Sequence, residues 1–168
     1  PNEKWLTDVS EFKYGTGDDK KKGKIYLSVI LDLCGKRPVA YEYSDHNNNP
    51  LVFNIFDKAL AANPGATPLF HSDRGYQYTS KTFRQKIIDA GMNQSMSRVA
   101  RCIDNGPMEG FWGIMKREMY YGKKYKTKDE LIKAIEEYID YYTNKRVQRN
   151  LCILTPQEYY EKHLLEAA

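Results

Sequence analysis

The chain has 168 residues, 26 of them Lys or Arg and 22 Asp or Glu, which gives a formal net charge of +4. With 41% hydrophobic and 13% aromatic residues it cannot be a disordered or collagen-like chain, and its length suits one domain with one core. No apolar run reaches the ~20 residues of a membrane span, and no secretory leader opens the chain. These features predict a soluble cytoplasmic domain that has no membrane partner.

The cysteines argue against a zinc site, and the charge distribution is compatible with a polyanionic ligand. Cys34, Cys102 and Cys152 are odd in number and far apart, which favours reduced thiols over a disulfide framework or a zinc knuckle. Residues 113–149 contain ten basic and six acidic side chains, so this segment accounts for the whole net charge. Such an excess is common on solvated helix faces, and it also suits contact with a polyanion.

Three strands are predicted at the start of the chain. Residues 4–12 are rich in strand-forming side chains and end at a glycine-rich turn. Residues 25–31 form an almost unbroken apolar run, the pattern of a strand buried on both faces. Residues 38–43 give a third strand across a short turn, so these strands are expected to form an antiparallel meander.

Helices and strands alternate in the next part of the chain. The pattern predicts, in order, a helix over 51–60 opened by Asn48 or Asn49, a strand over 69–71, a helix from Thr79 or Ser80 to Gly91, and a strand over 92–96. The two added strands make five. An α/β fold with a mixed sheet covered by helices follows from this order.

The remainder of the chain is predicted to be helical. One helix begins after Asn105-Gly106-Pro107 and runs to about Tyr121, a second spans 127–142, and a third begins at Thr155-Pro156. We therefore describe residues 1–168 as a single domain with a sheet-bearing part over 1–96 and a helical part over 97–168.

Three acidic residues occupy unusual places in this pattern. Asp8 lies within a strand, Asp73 closes another strand, and Glu109 falls in the first turn of a helix. Taken one at a time, a solvent-facing strand residue, a turn and a helix-dipole contact explain them. Together they suggest a site for Mg²⁺, because carboxylates are hard oxygen ligands and paired ions ~3.5–4 Å apart stabilise in-line phosphoryl displacement.

The sequence around these acids matches a known pattern in several ordered places. Thirty-five residues separate Asp73 from Glu109. The matching runs are Thr7-Asp8-Val9, His71-Ser72-Asp73-Arg74-Gly75, Ser95-Met96-Ser97-Arg98, Asp104-Asn105-Gly106-Pro107-Met108-Glu109 and Lys116-Arg117-Glu118. In these runs, and on to Leu154-Thr155-Pro156-Gln157-Glu158-Tyr159, the chain resembles the integrase-core catalytic domain of bacterial insertion-sequence transposases of the IS-three type, which is similar to retroviral integrases.

The resemblance implies a ribonuclease-H-like fold with a five-stranded mixed sheet flanked by helices. It also implies that Asp8, Asp73 and Glu109 form a catalytic triad that binds two Mg²⁺ or Mn²⁺ ions when DNA is present. In that family, water first cleaves a phosphodiester at the element end, and the freed 3′-hydroxyl then attacks target DNA. The implied partners are DNA at element ends and targets, and further copies of the chain in the synaptic complex.

Several basic residues are candidates for contacting DNA. Lys116 matches the family's DNA-contacting lysine and lies seven residues, or about two helical turns, beyond Glu109. The other candidates are Arg74, Arg98, Arg117, Lys123 and Lys124. The helix-turn-helix region that usually precedes this domain is absent here, so we expect salt-sensitive binding with little sequence preference.

Three further residues are expected to support the site. His71 suits a structural hydrogen-bonding role near Asp73, although it could also polarise water held by a metal ion. Gly75 could supply a positive φ or a close approach of backbone to DNA, or be an ordinary turn glycine. Asn105 precedes the helix that carries Glu109.

Some aromatic and acidic residues have both ordinary and functional interpretations. Phe111 and Trp112 fit the core of the Glu109 helix better than a role as DNA wedges. Asp32 ends the central strand, but its setting favours capping a loop. The tyrosines that could stack on bases or simply pack are Tyr76, Tyr78, Tyr120, Tyr121 and Tyr125.

Two other functions are compatible with the same acidic residues. One is a ribonuclease-H-like nuclease that never joins strands, and the runs around Asp73 and Glu109 argue against it. The other is a non-catalytic remnant of a transposase that only binds DNA or protein, and the intact set of three acids argues against that. The prediction is therefore a DNA transposase or integrase catalytic domain.

Overall fold

Five strands form one mixed sheet in the order β3-β2-β1-β4-β5. A computed structural model describes residues 1–15, 22–97 and 105–166. The strands are β1 (Lys4–Tyr14), β2 (Gly23–Asp32), β3 (Arg37–Ser44), β4 (Leu69–Ser72) and β5 (Asn93–Met96). Strands β1, β2 and β3 pair antiparallel, whereas β4 pairs parallel with both β1 and β5. The predicted meander and the predicted mixed sheet are confirmed.

Six α-helices accompany the sheet in the described ranges. They are α1 (Asn49–Ala62), α2 (Tyr76–Thr79), α3 (Lys81–Asp89), α4 (Gly106–Met115), α5 (Lys128–Asn144) and α6 (Pro156–Glu166). The side chains of Asn48, Ser80 and Thr127 accept hydrogen bonds from the first turns of α1, α3 and α5, as their sequence positions predict. None of the helices described is both long and apolar enough to cross a membrane.

The two faces of the sheet are covered by different helices and carry separate cores. Leu6 and Phe12 of β1 pack with side chains of α4 and α5, whereas Trp5 packs with side chains of α1 and α3. This division follows from the alternation of side chains along a strand. Each fully buried large apolar side chain stabilises the fold by ~1.5–3 kcal/mol.

Two elements differ from the sequence prediction. The helix predicted to run to about Tyr121 ends its regular α-helical part at Met115 and continues as a π-helical turn over Lys116–Tyr120. The short helix α2 was not predicted, because its four residues are too few to show a helical period. Glu118 of the π turn bonds to distant Arg146, a contact that local periodicity does not contain.

The cysteines fit the sequence interpretation where they can be described. Cys34 and Cys152 are free thiols. Cys102 lies outside the described residues.

Candidate active site

Asp8 and Asp73 lie side by side at the edge of the sheet where β4 ends. The parallel pairing of β1 with β4 runs from Lys4 and Leu69 to Leu6 and His71. Both aspartates lie two positions beyond the last pair, so they share one face of the sheet on strands ~4.8 Å apart. The structure therefore brings these two predicted residues together.

Glu109 approaches the same place from the first turn of α4. It is exposed and lies one turn before Trp112 on the helix. The indole Nε1 of Trp112 donates a hydrogen bond of 3.0 Å to Oδ2 of Asp8. This bond ties the second half of α4 to β1, and Glu109, one turn earlier on the helix, is close enough to act electrostatically on Asp8.

The sequence predicts one of the two roles of Trp112, its packing in the core. Its ring is buried in the core with Phe111, as expected. Its contact with Asp8 was missed. The available signal was its position three residues after Glu109, since residues three apart lie on the same helix face.

The surroundings of Asp8 make its carboxylate form unfavourable. Burial is the largest cause and, with the negative charges of Asp73 and Glu109, raises the pKa of Asp8 to about 6. Hydrogen bonds from the backbone of Val9 and from Trp112 act in the opposite direction. A divalent cation bound beside the three acids would offset this repulsion.

The donor chemistry suits Mg²⁺, although the three acids do not form a finished cage. Oδ1 of Asp73 accepts a hydrogen bond of 2.8 Å from the backbone of Gly75, which orients this carboxylate. Within the described ranges, no group of three or more His, Cys, Asp or Glu side chains is arranged to hold a metal ion. Metal binding by Asp8, Asp73 and Glu109 therefore stays a prediction.

His71 has the structural role that its position favours. It is buried between β4 and β5, with Nδ1 3.0 Å from Oγ of Ser95 and Nε2 3.2 Å from Oγ of Ser97. These contacts join the strand that leads to Asp73 to the strand that precedes the Glu109 helix. The ring thereby supports the position of Asp73.

Gly75 does not have the positive φ that was one of its predicted roles, because its φ is −54°. Crowding explains the glycine instead. A Cβ atom here would lie 3.0 Å from Oδ1 of Asp73 and 3.0 Å from Oε1 of Gln77. The predicted close approach of this backbone to DNA stays a prediction.

Two other predicted residues have specific local settings. Asn105 lies at the start of α4, and its buried Oδ1 has no hydrogen-bond partner among the residues described. Asp32 is buried and accepts hydrogen bonds from the backbone of Asn2 at 2.6 Å and Cys34 at 2.8 Å. Asp32 is therefore a loop cap, as predicted.

The candidate DNA-contacting residues occupy three separate places. Arg74 is exposed and donates from Nε to the carbonyl oxygen of Ser97 at 2.9 Å. Lys116 begins the π turn, with Nζ 5.3 Å from the centre of the Phe12 ring, and Arg117 beside it is exposed. Lys123 and Lys124 are exposed after this turn, and Arg98 lies outside the described residues.

Matches to family models identify the family of this chain. Two models described as integrase core domain match residues 1–102 and 109–164. The chain belongs to the integrase core domain family. Its predicted family, fold and transposase-type catalytic domain are thereby confirmed.

Relatives of this integrase core are named as transposases of insertion sequences. It is 41% identical to an uncharacterized transposase-like protein of Haemophilus influenzae over 95% of this chain and 71% of that protein. It is 30% identical to the transposase for IS904 of Lactococcus lactis over 95% of this chain and 61% of the relative. It is 25% identical to transposase InsF for IS3A of Escherichia coli over 98% of this chain and 56% of the relative.

Solved structures support the fold of the integrase core. The HTLV-2 integrase catalytic core domain in complex with magnesium has a TM-score of 0.72 and 20% identity over 95% of this chain and 97% of that one. A second match is a chain from the structure of the simian T-cell lymphotropic virus intasome in complex with PP2A regulatory subunit B56 gamma. Its TM-score is 0.77 and its identity 18%, over 95% of this chain and 54% of that one. At these identities the likeness shows the fold.

Proposed function

We propose that residues 1–168 act as one catalytic domain of an insertion-sequence transposase, a metal-dependent polynucleotidyl transferase. It cleaves a phosphodiester at the element end and then joins the freed 3′-hydroxyl to target DNA. The observation that carries this proposal is the placement of Asp8 and Asp73 on or just beyond paired strands, with the helix that carries Glu109 bonded to Asp8 through Trp112. The raised pKa of Asp8, near 6, supports it, because such a group is suited to a cation partner.

The reaction consists of two displacements at phosphorus. In the first, the oxygen of water forms a bond to phosphorus while the bond to the 3′ oxygen breaks, which leaves a 3′-hydroxyl and a 5′-phosphate. In the second, that 3′-hydroxyl attacks a target phosphodiester and a new 3′-hydroxyl leaves. One phosphodiester replaces another, so the joining step needs no external energy source.

The chain's own residues provide the positions that these steps need. Asp8, Asp73 and Glu109 would hold two Mg²⁺ or Mn²⁺ ions. The bound ions would stabilise the negative charge on the attacking and leaving oxygens. Trp112 and the backbone of Gly75 each hold one oxygen of an aspartate, so both carboxylates are oriented before DNA arrives.

DNA is the proposed substrate, and basic side chains would hold its phosphates. The candidates that would hold phosphates are Arg74, Arg98, Lys116, Arg117, Lys123 and Lys124. We also propose that two or more copies assemble on element ends, and that the protein works in the cytoplasm on nucleoid DNA.

The direct test incubates the chain with Mg²⁺ or Mn²⁺ and a nicked DNA duplex that carries a free 3′-hydroxyl. We expect hydrolysed and joined products from the wild type and neither product from Asp73→Asn. Asp89→Asn removes an exposed acid from the end of α3 and should leave both products unchanged. Denaturing gels of end-labelled strands measure both.

A second substrate separates the alternatives. Cleavage of RNA in an RNA–DNA hybrid without any DNA joining would identify a nuclease. Binding of duplex DNA without any product, or equal products from wild type and Asp73→Asn, would contradict the proposed catalysis.

A further inference from the structure

A groove of about 400 Å³ lies beside the turn that joins α4 to α5. The side chains that line it are only basic or aromatic in the described part of the chain: Lys13, Tyr120, Tyr121, Lys123, Lys124 and Tyr125. The nearest described acid bonded to this set is Glu11, 3.8 Å from Nζ of Lys13 in an exposed pair. The groove is therefore electropositive.

The wall of the groove is fixed by contacts between the turn and β1. The hydroxyl of Tyr120 accepts a hydrogen bond of 2.9 Å from the backbone nitrogen of Lys13 and donates one of 3.2 Å to its carbonyl oxygen. The ring of Tyr125 lies nearly parallel to that of Tyr120, and the hydroxyl of Tyr125 donates to the carbonyl oxygen of Met119. These two tyrosines are committed to packing.

Tyr121 differs from its neighbours because its ring is presented to solvent. It is 62% exposed, whereas Tyr120 and Tyr125 are partly buried. Its backbone is nevertheless held, since its nitrogen donates to the carbonyl oxygen of Lys116 at 2.7 Å. The positive φ of 78° at Gly122 then reverses the chain, so Lys123 and Lys124 follow beside the exposed ring.

The groove adjoins the candidate active site without being part of it. Phe12 contacts both, because its ring packs edge-on against Tyr120 at 5.1 Å and lies beneath Nζ of Lys116. Asp8 and Phe12 are four positions apart on the same face of β1, which corresponds to ~14 Å of extended strand. A DNA strand that leaves the carboxylates past Lys116 would reach the groove.

We propose that this groove binds an unpaired stretch of the DNA substrate, with one base stacked on Tyr121 and flanking phosphates on Lys13, Lys123 and Lys124. An exposed aromatic ring on a held backbone, with cations beside it, suits a single strand, since every base has a face for stacking and every link has a negative charge. A duplex would keep its bases paired away from the ring. An acidic peptide would use the lysines without the ring. The inference rests on the proposed function only for its choice of DNA.

Binding measured in EDTA tests the groove independently of catalysis. Fluorescence anisotropy compares a ten-nucleotide oligothymidine with an abasic strand of the same length, which has the phosphates but lacks the bases. The wild type should bind the oligothymidine about tenfold more tightly. Tyr121→Ala should abolish this preference, and Tyr121→Phe should retain it because the phenyl ring still stacks.

Two further variants separate stacking from charge. Tyr141→Ala removes another exposed tyrosine, which is 44% exposed on α5, and should leave the preference intact. Lys123→Gln combined with Lys124→Gln should weaken the binding of both oligomers and lower the salt slope by about 0.7 for each phosphate that is no longer neutralised. A base preference that survives in Tyr121→Ala, or no preference in the wild type, would overturn the proposal. Strand cleavage in Mg²⁺ tests the proposed function separately.

Discussion

Asp8 is a half-buried acid whose carboxylate form is disfavoured by burial and by the nearby charges of Asp73 and Glu109. Its pKa of about 6 in the folded chain lies above the usual 3.8. The folded state therefore holds this proton more tightly than the unfolded state does. The resulting stabilisation is fully present below about pH 4 and is lost as pH rises through 6.

Asp8→Asn should make the protein more stable at pH 8 in the absence of divalent cations, while abolishing catalysis. The neutral amide removes a carboxylate cost of up to about 3 kcal/mol and can still accept the hydrogen bond from Trp112. The gain in unfolding free energy should shrink towards pH 4. Urea denaturation at both pH values measures it.

An exposed acid provides the control for this prediction. Asp89→Asn on α3 should change the unfolding free energy by less than about 0.5 kcal/mol at either pH. If Asp8→Asn shows no gain at pH 8 over pH 4, the carboxylate cost assigned to Asp8 is wrong.

Trp112→Phe should shift the acid limb of the pH–rate profile to higher pH and lower kcat. The indole hydrogen bond lowers the pKa of Asp8, so its loss raises that pKa further, while a phenyl ring keeps much of the packing. Cleavage rates across pH 5–9 in Mn²⁺ provide the measurement.

Trp5→Phe is the matched control, because the indole of Trp5 donates to Oδ1 of Asn2 rather than to an active-site acid. It should leave the pH limb in place. An identical limb in wild type and Trp112→Phe would contradict the role given to Trp112.

At the scale of elements, the π turn that follows α4 is held by a clamp from the end of α5. Arg146 forms two-pronged hydrogen bonds with Glu118, the shortest being 2.6 Å, and Tyr138 donates to the same carboxylate at 2.8 Å. The pKa of Glu118 is lowered, chiefly by the hydrogen bond from Arg146.

A double-mutant cycle with Glu118→Gln and Arg146→Gln should give a coupling free energy of about 1 kcal/mol that falls at high salt. The value is modest because both side chains are partly exposed and screened. The exposed pair Lys133 and Glu137, 3.9 Å apart, should give less than about 0.5 kcal/mol. Equal coupling in the two pairs would mean that the clamp has no special role.

The elements that the sequence predicts well are those with local causes. Asn48, Ser80 and Thr127 cap helices within three residues of themselves, and the apolar run at 25–31 is buried except at Tyr26, which is partly exposed. The π turn has no local signal, because its clamp joins Glu118 to Arg146, 28 residues away. Long-range contacts of this kind are what a single sequence hides.

The same distinction holds for the site. The sequence placed Asp8 and Asp73 together only on the condition that their strands are adjacent, and the pairing of β1 with β4 meets that condition. The helix of Glu109 was predicted from its own local pattern. The Trp112 contact with Asp8 joins residues 104 positions apart, so the sequence could indicate only that Trp112 shares a helix face with Glu109. The φ of Gly75 was open in the sequence, because crowding against Asp73 depends on the folded turn.

At the scale of the whole molecule, the net charge of +4 is accounted for by residues 113–149, which follow Glu109 in the chain. The basic residues beyond Glu109 would hold DNA phosphates next to acids that would otherwise repel them. Binding of duplex DNA should therefore weaken steeply with salt and depend little on sequence.

Lys116→Gln should lower the salt slope of duplex binding by about 0.9, the value for one phosphate contact, and should weaken every duplex sequence alike. Lys162→Gln, an exposed lysine on α6, should leave the slope unchanged. Filter binding over a range of salt concentrations gives both slopes. An unchanged slope in Lys116→Gln would exclude the phosphate contact.

We propose above that Asp8, Asp73 and Glu109 share divalent cations when DNA is bound. A crystal structure of the chain with Mn²⁺ and a nicked duplex tests it most directly, because Mn²⁺ is located by its anomalous scattering. We predict two Mn²⁺ peaks ~3.5–4 Å apart, with oxygens of all three carboxylates bound to them. Peaks that lie elsewhere, or three carboxylates that remain apart with DNA present, would contradict the account.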